Sequence, residues 1–154
     1  MCCSTGGKEG FRINQFDLHS SLGFLLVNTA FQAKQNLTKL FQQEGFDTTI
    51  DQFVVMGALI GKNGITQKQI CQICCKNDSN LARILSGMEN KNLIYRQTGE
   101  DARSRNVFLS EKGGALYIAL APIAERYMNQ VLGDLSNEER GILVKILLQI
   151  REKL

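Results

Sequence analysis

The sequence predicts a mainly α-helical fold with one small β-hairpin. Residues 66–91 hold two short helical patterns in tandem, each with apolar side chains three and four positions apart. Two β-type runs follow, at residues 93–97 and 105–109, with a polar loop between them that contains Gly99. Longer helical patterns flank this stretch on both sides. Two short helices followed by a hairpin with a polar tip are the layout of a winged helix-turn-helix lobe.

The composition narrows the possible classes of protein. A chain of 154 residues with 44% hydrophobic residues fits one globular domain, or a small domain with an oligomerisation element. The net charge of +3 is too small to argue for nucleic acid by itself. No apolar run is long enough to span a bilayer and no signal-peptide pattern is present, so we expect a cytoplasmic protein without a membrane partner. The five cysteines are expected to be reduced thiols.

The N-terminal part of the chain predicts a leader and one long helix. Residues 1–10 are polar and are expected to be mobile. A helical pattern runs from about Phe16 to Phe41, with Gly23 as a candidate breakpoint. Gly45 follows where a helix-ending glycine is expected.

Capping signals start the next two helices. Thr48 or Thr49 can cap a helix that runs to about Ile60. Thr66-Gln-Lys-Gln69 is a capping box, because a Thr hydroxyl and a Gln side chain three residues later satisfy the free N–H groups reciprocally. It predicts a third helix that ends near Lys76. The inner stripe of this helix is expected to contain Ile70, Ile73 and Cys74.

A fourth helix is predicted from Asn77-Asp78, which form its turn and cap, to about Lys91. Its pattern separates into two faces. Asn92 can adopt the left-handed conformation that ends a helix. The apolar face consists of Leu81, Ile84, Leu85 and Met88. The polar face consists of Ser79, Asn80, Arg83, Ser86 and Asn90.

The C-terminal part predicts two more helices. Ser110 begins a long helix to about Leu132, in which Pro122 is expected to cause a bend. Ser136-Asn-Glu-Glu139 is a second capping box. The first and last helices carry apolar faces that are too wide for one small lobe to cover, which predicts a homodimer. The apolar stripe of the last helix contains Ile142, Leu143, Ile146, Leu147 and Ile150.

Polar residues of the helix-turn-helix and the hairpin are suited to contact DNA. Arg83 can bind a guanine edge and Asn80 an adenine edge, whereas Ser79 suits a phosphate. Arg103 can enter a minor groove, with Asp101 fixing its direction. The alternative is an ordinary polar helix face and a solvated turn with a surface ion pair. Further candidates for phosphate contacts or positioning are Thr66, Gln67, Lys68, Arg96 and Arg105.

On these residues the chain resembles the MarR family of bacterial transcription regulators. The family pattern Asp-x-Arg, then a strand, then Leu-Thr/Ser-x-x-Gly is met by Asp101, Arg103, Leu109, Ser110 and Gly113. The pattern Leu-x-x-Lys-Gly-Leu-Ile-x-Arg at the end of the recognition helix is met in part by Lys91, Leu93, Ile94 and Arg96. Asn92 stands in place of the Gly and Met88 in place of a Leu.

The resemblance implies a homodimer on a pseudo-palindromic operator in double-stranded DNA. It also implies repression that a small anionic or phenolic effector or the oxidation of a cysteine relieves, and no cofactor. The expected division is a dimerisation helix region at 11–45, a DNA-binding lobe at 46–113 and C-terminal dimerisation helices at 114–154. A candidate effector pocket contains His19, Phe24, Phe31, Phe53 and Tyr117, for which core packing is the alternative.

Two other functions remain open from the sequence. A thiol-based redox regulator would use Cys71 or Cys75, or the pair Cys2 and Cys3. The sequence favours a structural role for Cys71, Cys74 and Cys75 over redox sensing, and a zinc site is disfavoured because the single histidine is remote in sequence. A winged-helix module that binds a protein instead of DNA is the second alternative. An enzyme is not expected, because the sequence offers no nucleophile–base pair, phosphate loop or metal motif.

Overall fold

The computed structural model of the protein describes residues 21–62, 64–98 and 105–153. In this part of the chain the elements follow the predicted order and confirm a mainly helical fold with a β-wing. They are α1 (Leu22–Gln43), α2 (Ile50–Leu59), β1 (Ile65–Thr66), α3 (Gln67–Cys74), α4 (Asp78–Asn90), β2 (Ile94–Thr98), β3 (Arg105–Leu109), α5 (Glu111–Val131) and α6 (Asn137–Arg151). None of the described helices is both long and apolar enough to cross a membrane. The chain divides into two compact units, Met1–Lys34 and Gln35–Leu154.

The helices begin where the sequence places capping residues. Complete capping boxes stand at the starts of α2, α3 and α6, with Thr49, Thr66 and Ser136 as the N-cap residues. Asn77 caps α4 and Ser110 caps α5 through single side-chain bonds. Each cap satisfies an N–H group that has no partner within its own helix, so these local signals determine the helix starts.

The observed helices differ from the sequence prediction at Gly23 and at the end of α3. The described part of α1 begins at Leu22 and passes Gly23 without a break, whereas the predicted start at Phe16 lies outside the described residues. Gly45 follows α1 with φ +87°, as a terminating glycine should. Helix α3 ends at Cys74, slightly before the predicted end near Lys76, because Cys75 adopts a left-handed conformation.

The wing is a three-stranded antiparallel sheet with β3 in the centre. The third strand, β1, was not predicted: its two residues pair with Val107 and Asn106, about forty positions later in the chain. Strand β2 begins at Ile94 instead of Leu93. Leu93 is buried and its carbonyl accepts a hydrogen bond from the Ser110 N–H at 3.0 Å, which joins the end of the α4 segment to the start of α5.

The core of the larger unit lies between the helices of the lobe and the inner face of the sheet. Its fully buried large side chains include Phe41, Met56, Leu59, Ile70, Leu81, Leu85, Met88 and Leu120. The prediction that Ile73 lies on the inner stripe of α3 was wrong, since Ile73 is 48% exposed. Cys71 and Cys74 are partly buried and pack against the core that contains Ile70.

Candidate nucleic-acid interface

The N-terminus of α4 is held against α3 by side-chain hydrogen bonds. The Asn77 Oδ1 accepts the N–H of Asn80 at 2.8 Å, which caps α4. The Gln67 Nε2 donates to the carbonyl oxygen of Asp78 at 3.4 Å, and the Cys71 thiol donates to the Asp78 carboxylate at 3.3 Å. These contacts fix the start of α4, where the predicted base-reading residues lie.

The two faces of α4 agree with the prediction from the helical pattern. Leu81, Leu85 and Met88 are buried in the core. On the opposite face, Ser79 and Arg83 are exposed and Asn80 is half-buried. The Arg83 Nη2 donates to the Asn80 Oδ1 at 3.4 Å, so the two side chains predicted to read bases are adjacent.

The C-terminus of α4 is anchored by lysines and by a left-handed residue. Asn92 has φ +57° and its carbonyl accepts the Ser110 hydroxyl at 2.8 Å. The Lys91 Nζ donates to the Asp47 carbonyl at 2.6 Å and to the Asp47 carboxylate at 2.8 Å. The Lys112 Nζ donates to the Lys91 carbonyl at 2.8 Å. We call this set of contacts the C-terminal anchor of α4. The sequence analysis did not find it because its partners are up to 44 residues apart.

Three candidates for DNA contacts lie at the start of α3, and two of them are held by hydrogen bonds within the protein. The Thr66 hydroxyl accepts the Gln69 N–H at 3.3 Å and donates to the Gln69 Oε1 at 3.0 Å. Gln67 is bound to Asp78, as described above. Lys68 is exposed beside them. A helix N-terminus with an exposed lysine suits a phosphate contact, with Thr66 and Gln67 holding the local structure.

The wing carries two described arginines next to α4. Arg105 is exposed, and Arg96 is half-buried with its Nε 3.5 Å from the Glu89 Oε2. Together with Gln97 and Thr98 they line a polar cleft of about 260 Å³. Asp101 and Arg103, the predicted wing-tip contact, lie outside the described residues. The sequence analysis did not single out Glu89, because its partner lies beyond a turn and on a different element.

The opposite face of the wing is aromatic. The rings of Tyr95 and Phe108 stack at 5.2 Å between centroids and with 8° between planes. Gly64 has φ +90°, and a Cβ there would overlap the Phe108 ring. The position therefore requires glycine both for its backbone conformation and for the close approach of the ring.

Two of the described cysteines, Cys71 and Cys74, have raised pKa values. Burial and then the hydrogen bond to Asp78 raise the pKa of Cys71. Burial also raises the pKa of Cys74 above its ordinary value, although Lys76 opposes the shift. Cys75 is exposed. Among the residues that the structure describes, no group of three or more His, Cys, Asp or Glu side chains is placed to hold a metal ion.

Two of the five predicted pocket residues pack together in the lobe. The Phe53 ring stacks on Tyr117 at 5.0 Å and meets Phe41 edge-on at 5.5 Å. The Tyr117 ring lies 3.2 Å from the position that a Cβ on Gly57 would take. This is the packing of core aromatics. Phe24 and Phe31 belong to the N-terminal unit and His19 lies outside the described residues, so the effector pocket stays a prediction.

Similar proteins identify the family. The chain is 34% identical over 126 residues to the transcriptional regulator HosA of Escherichia coli O157:H7, which covers 79% of this chain and 93% of HosA. It is 26% identical over 135 residues to the transcriptional repressor NicR of Pseudomonas putida, which covers 86% of this chain and 83% of NicR. No family model matches the chain.

Solved structures show the same fold. The Staphylococcus aureus MepR–DNA complex matches with a TM-score of 0.75 and 23% identity, over 86% of this chain and 96% of MepR. MarR of E. coli matches with a TM-score of 0.70 and 20% identity, over 84% and 96%. Bordetella bronchiseptica BpsR, whose DNA binding is regulated by 6-hydroxynicotinic acid, matches with 0.69 and 23%, over 82% and 98%. The chain belongs to the MarR family of DNA-binding transcriptional regulators, which are not enzymes.

Proposed function

We propose that the protein is a homodimeric repressor that binds a pseudo-palindromic operator, with α4 of each subunit in the major groove. The observation that carries this proposal is the exposed polar face of α4 on a helix anchored at both ends. Ser79, Asn80 and Arg83 lie on that face, and a fixed helix loses little conformational freedom when it binds DNA. Repression is supported by the similarity to NicR, a transcriptional repressor that matches 86% of this chain.

The homodimer is supported by the exposed apolar surface of α6. Within its described residues this helix buries none of its side chains. Its large apolar residues are 36–56% exposed, and they are Ile142, Leu143, Val144, Ile146, Leu147, Leu148 and Ile150. A continuous apolar surface of this kind is typical of a subunit interface. A second copy of the chain, related by a twofold axis, also explains a palindromic operator, with recognition helices about 34 Å apart.

Dimerisation is tested by placing a charge on this surface. Leu147→Glu should yield monomers in sedimentation velocity, because a carboxylate would be buried without a partner in the interface. Gln149→Glu introduces the same charge at an exposed polar position of the same helix and should remain dimeric. A dimeric Leu147→Glu variant would contradict the assignment of α6 to the interface.

Operator binding is tested by selecting bound duplexes from a random pool. The wild type should enrich a palindrome, and Arg83→Ala should relax preference at one base pair at a cost of about 1–3 kcal/mol. Arg103→Ala should weaken binding through the wing. Arg126→Ala is a control with the same charge change, because Arg126 lies on α5 outside the predicted DNA contacts and pairs with Glu44 at 2.9 Å. No enrichment at low salt would refute DNA recognition.

A small organic anion is the proposed effector. The support is the similarity to BpsR, in which 6-hydroxynicotinic acid regulates DNA binding. An effector that binds the free protein better than the DNA-bound protein releases the operator by that difference in affinity. A panel of aromatic carboxylic acids should therefore contain compounds that raise the melting temperature and release operator DNA. If the panel produces neither effect, regulation by this class of compound is refuted.

A further inference from the structure

We propose that Glu89 weakens DNA binding by competing with a backbone phosphate for Arg96. In the free protein the Glu89 carboxylate pairs with the Arg96 guanidinium. In the DNA complex a backbone phosphate takes the place of the carboxylate. The inference rests on the proposed operator binding and adds to it a residue that sets affinity without touching a base.

Glu89 and Arg96 lie at the edge of the hydrophobic core, where the face of the sheet becomes exposed to solvent. Arg96 is opposite Val107 in the β2–β3 register, and Thr98 is opposite Arg105. Alternate residues of a strand share a face, so Arg96, Thr98 and Arg105 continue the face on which Val107 is buried. Glu89, in the last turn of α4, closes the other side of the polar cleft.

The pairing between Glu89 and Arg96 leaves a donor unsatisfied. The Arg96 Nε is 3.5 Å from the Glu89 Oε2. The Nε is buried and makes no hydrogen bond at this distance. A buried donor without an acceptor is unfavourable. A phosphate offers several acceptor oxygens in the geometry that a guanidinium binds best, so it can displace the poorly aligned Glu89 carboxylate from Arg96.

The position of the cleft favours a phosphate of the DNA backbone over a free anion. The cleft lies between the last turn of the recognition helix and the two long strands of the wing. These are the elements that the proposed function places along one DNA duplex. Arg105 lies at the same cleft and is exposed, so it adds a second positive charge on the side from which a phosphate would approach.

The test measures operator affinity as a function of salt concentration for Glu89→Gln, Arg96→Gln and the double variant. Glu89→Gln should bind about two- to fivefold more tightly, the range expected for a partly exposed ion pair. Its plot of log affinity against log salt should keep the wild-type slope, because Arg96 binds the same phosphate in both complexes, whereas Arg96→Gln should lower the slope by about 0.9, the value for one lost phosphate contact. In the Arg96→Gln background the same substitution should have no effect, because its action runs through Arg96.

A matched control separates this effect from a change in net charge. Glu125→Gln removes an exposed carboxylate from α5 and should leave affinity and salt slope unchanged. Inorganic phosphate at constant ionic strength should not release operator from Glu89→Gln. Release at millimolar phosphate would assign the cleft to a free anion and overturn the inference.

Two further outcomes would overturn it. Glu89→Gln could bind DNA no better than the wild type, or it could gain equally in the Arg96→Gln background. In either case the wild type would still bind its operator, so the proposed function would stand. Absence of DNA binding by the wild type would instead refute the proposed function. Thermal melting followed by circular dichroism establishes that each variant is folded before its affinity is compared.

Discussion

Replacing Gly113 with alanine tests how closely α5 packs on the end of the recognition lobe. A Cβ at Gly113 would overlap the carbonyl oxygen of Leu93 and lie 2.7 Å from the Leu109 Cδ1. The Leu93 oxygen belongs to the backbone and accepts the Ser110 N–H at 3.0 Å, so it cannot rotate away as a side chain would. The substitution therefore forces the first turn of α5 away from the residue that leads into β2.

The neighbouring Gly114 provides the control, because a Cβ there would meet no atom within 4 Å. Both substitutions gain the helix propensity of alanine over glycine, about 1 kcal/mol. The difference between the two variants therefore isolates the cost of overpacking, about 1–3 kcal/mol. Urea denaturation at equal protein concentration measures the free energy of unfolding of each. Two variants of equal stability would refute the argument from close contact.

Three other substitutions or modifications test local features of the lobe. Asn77→Ala should lower the free energy of unfolding by about 1 kcal/mol, because it removes the N-cap of α4; an unchanged urea midpoint would contradict this. Cys75→Gly should raise the free energy of unfolding by about 1 kcal/mol, because residue 75 has φ +50°; a less stable variant would show that the side chain matters more than the backbone. At pH 8, iodoacetamide should label Cys75 before Cys71 and Cys74, whose raised pKa values keep them protonated below their ordinary pKa of about 9. Their labelling should become faster only as the pH rises above that value, and equal labelling of all three at pH 8, measured by mass spectrometry, would contradict the assigned environments.

The sequence predicts the helices well because their signals are local. A Thr or Ser hydroxyl and a side chain three residues later form a capping box whatever the rest of the fold does. The boxes at Thr66 and Ser136 are therefore both present as predicted. The two faces of α4 are equally local, since the spacing of Leu81, Leu85 and Met88 alone places them on one side of a helix.

Features that depend on distant residues could not be predicted from the sequence. Strand β1 has only two residues, too few for an alternating pattern, and it exists because β3 offers it a pairing edge. Ile73 is exposed because α3 packs with Cys71 and Cys74 beside Ile70, an orientation set by neighbouring helices and not by the apolar pattern of eight residues.

The candidate site shows the same difference between local features and contacts between distant residues. The polar face of α4 was predicted because all its members lie on one helix. The pairs that fix this helix, Lys91 with Asp47 and Glu89 with Arg96, each join two elements, and neither spacing is a recognised motif. The contacts that position the predicted DNA-reading residues therefore required the structure, whereas the prediction of those residues needed only the sequence.

This division leads to a prediction about Lys91, the centre of the C-terminal anchor of α4. Lys91→Ala removes both bonds to Asp47 but leaves Ser79, Asn80 and Arg83 on the exposed face. A helix with a looser end must be ordered on binding, and that entropic cost is the same for every DNA sequence. Lys91→Ala should therefore lower affinity by a similar factor for the operator and for each single-base variant, whereas Arg83→Ala should change their ranking. Competition binding with a set of single-base operator variants distinguishes the two results. A changed ranking for Lys91→Ala would show that Lys91 itself takes part in base recognition.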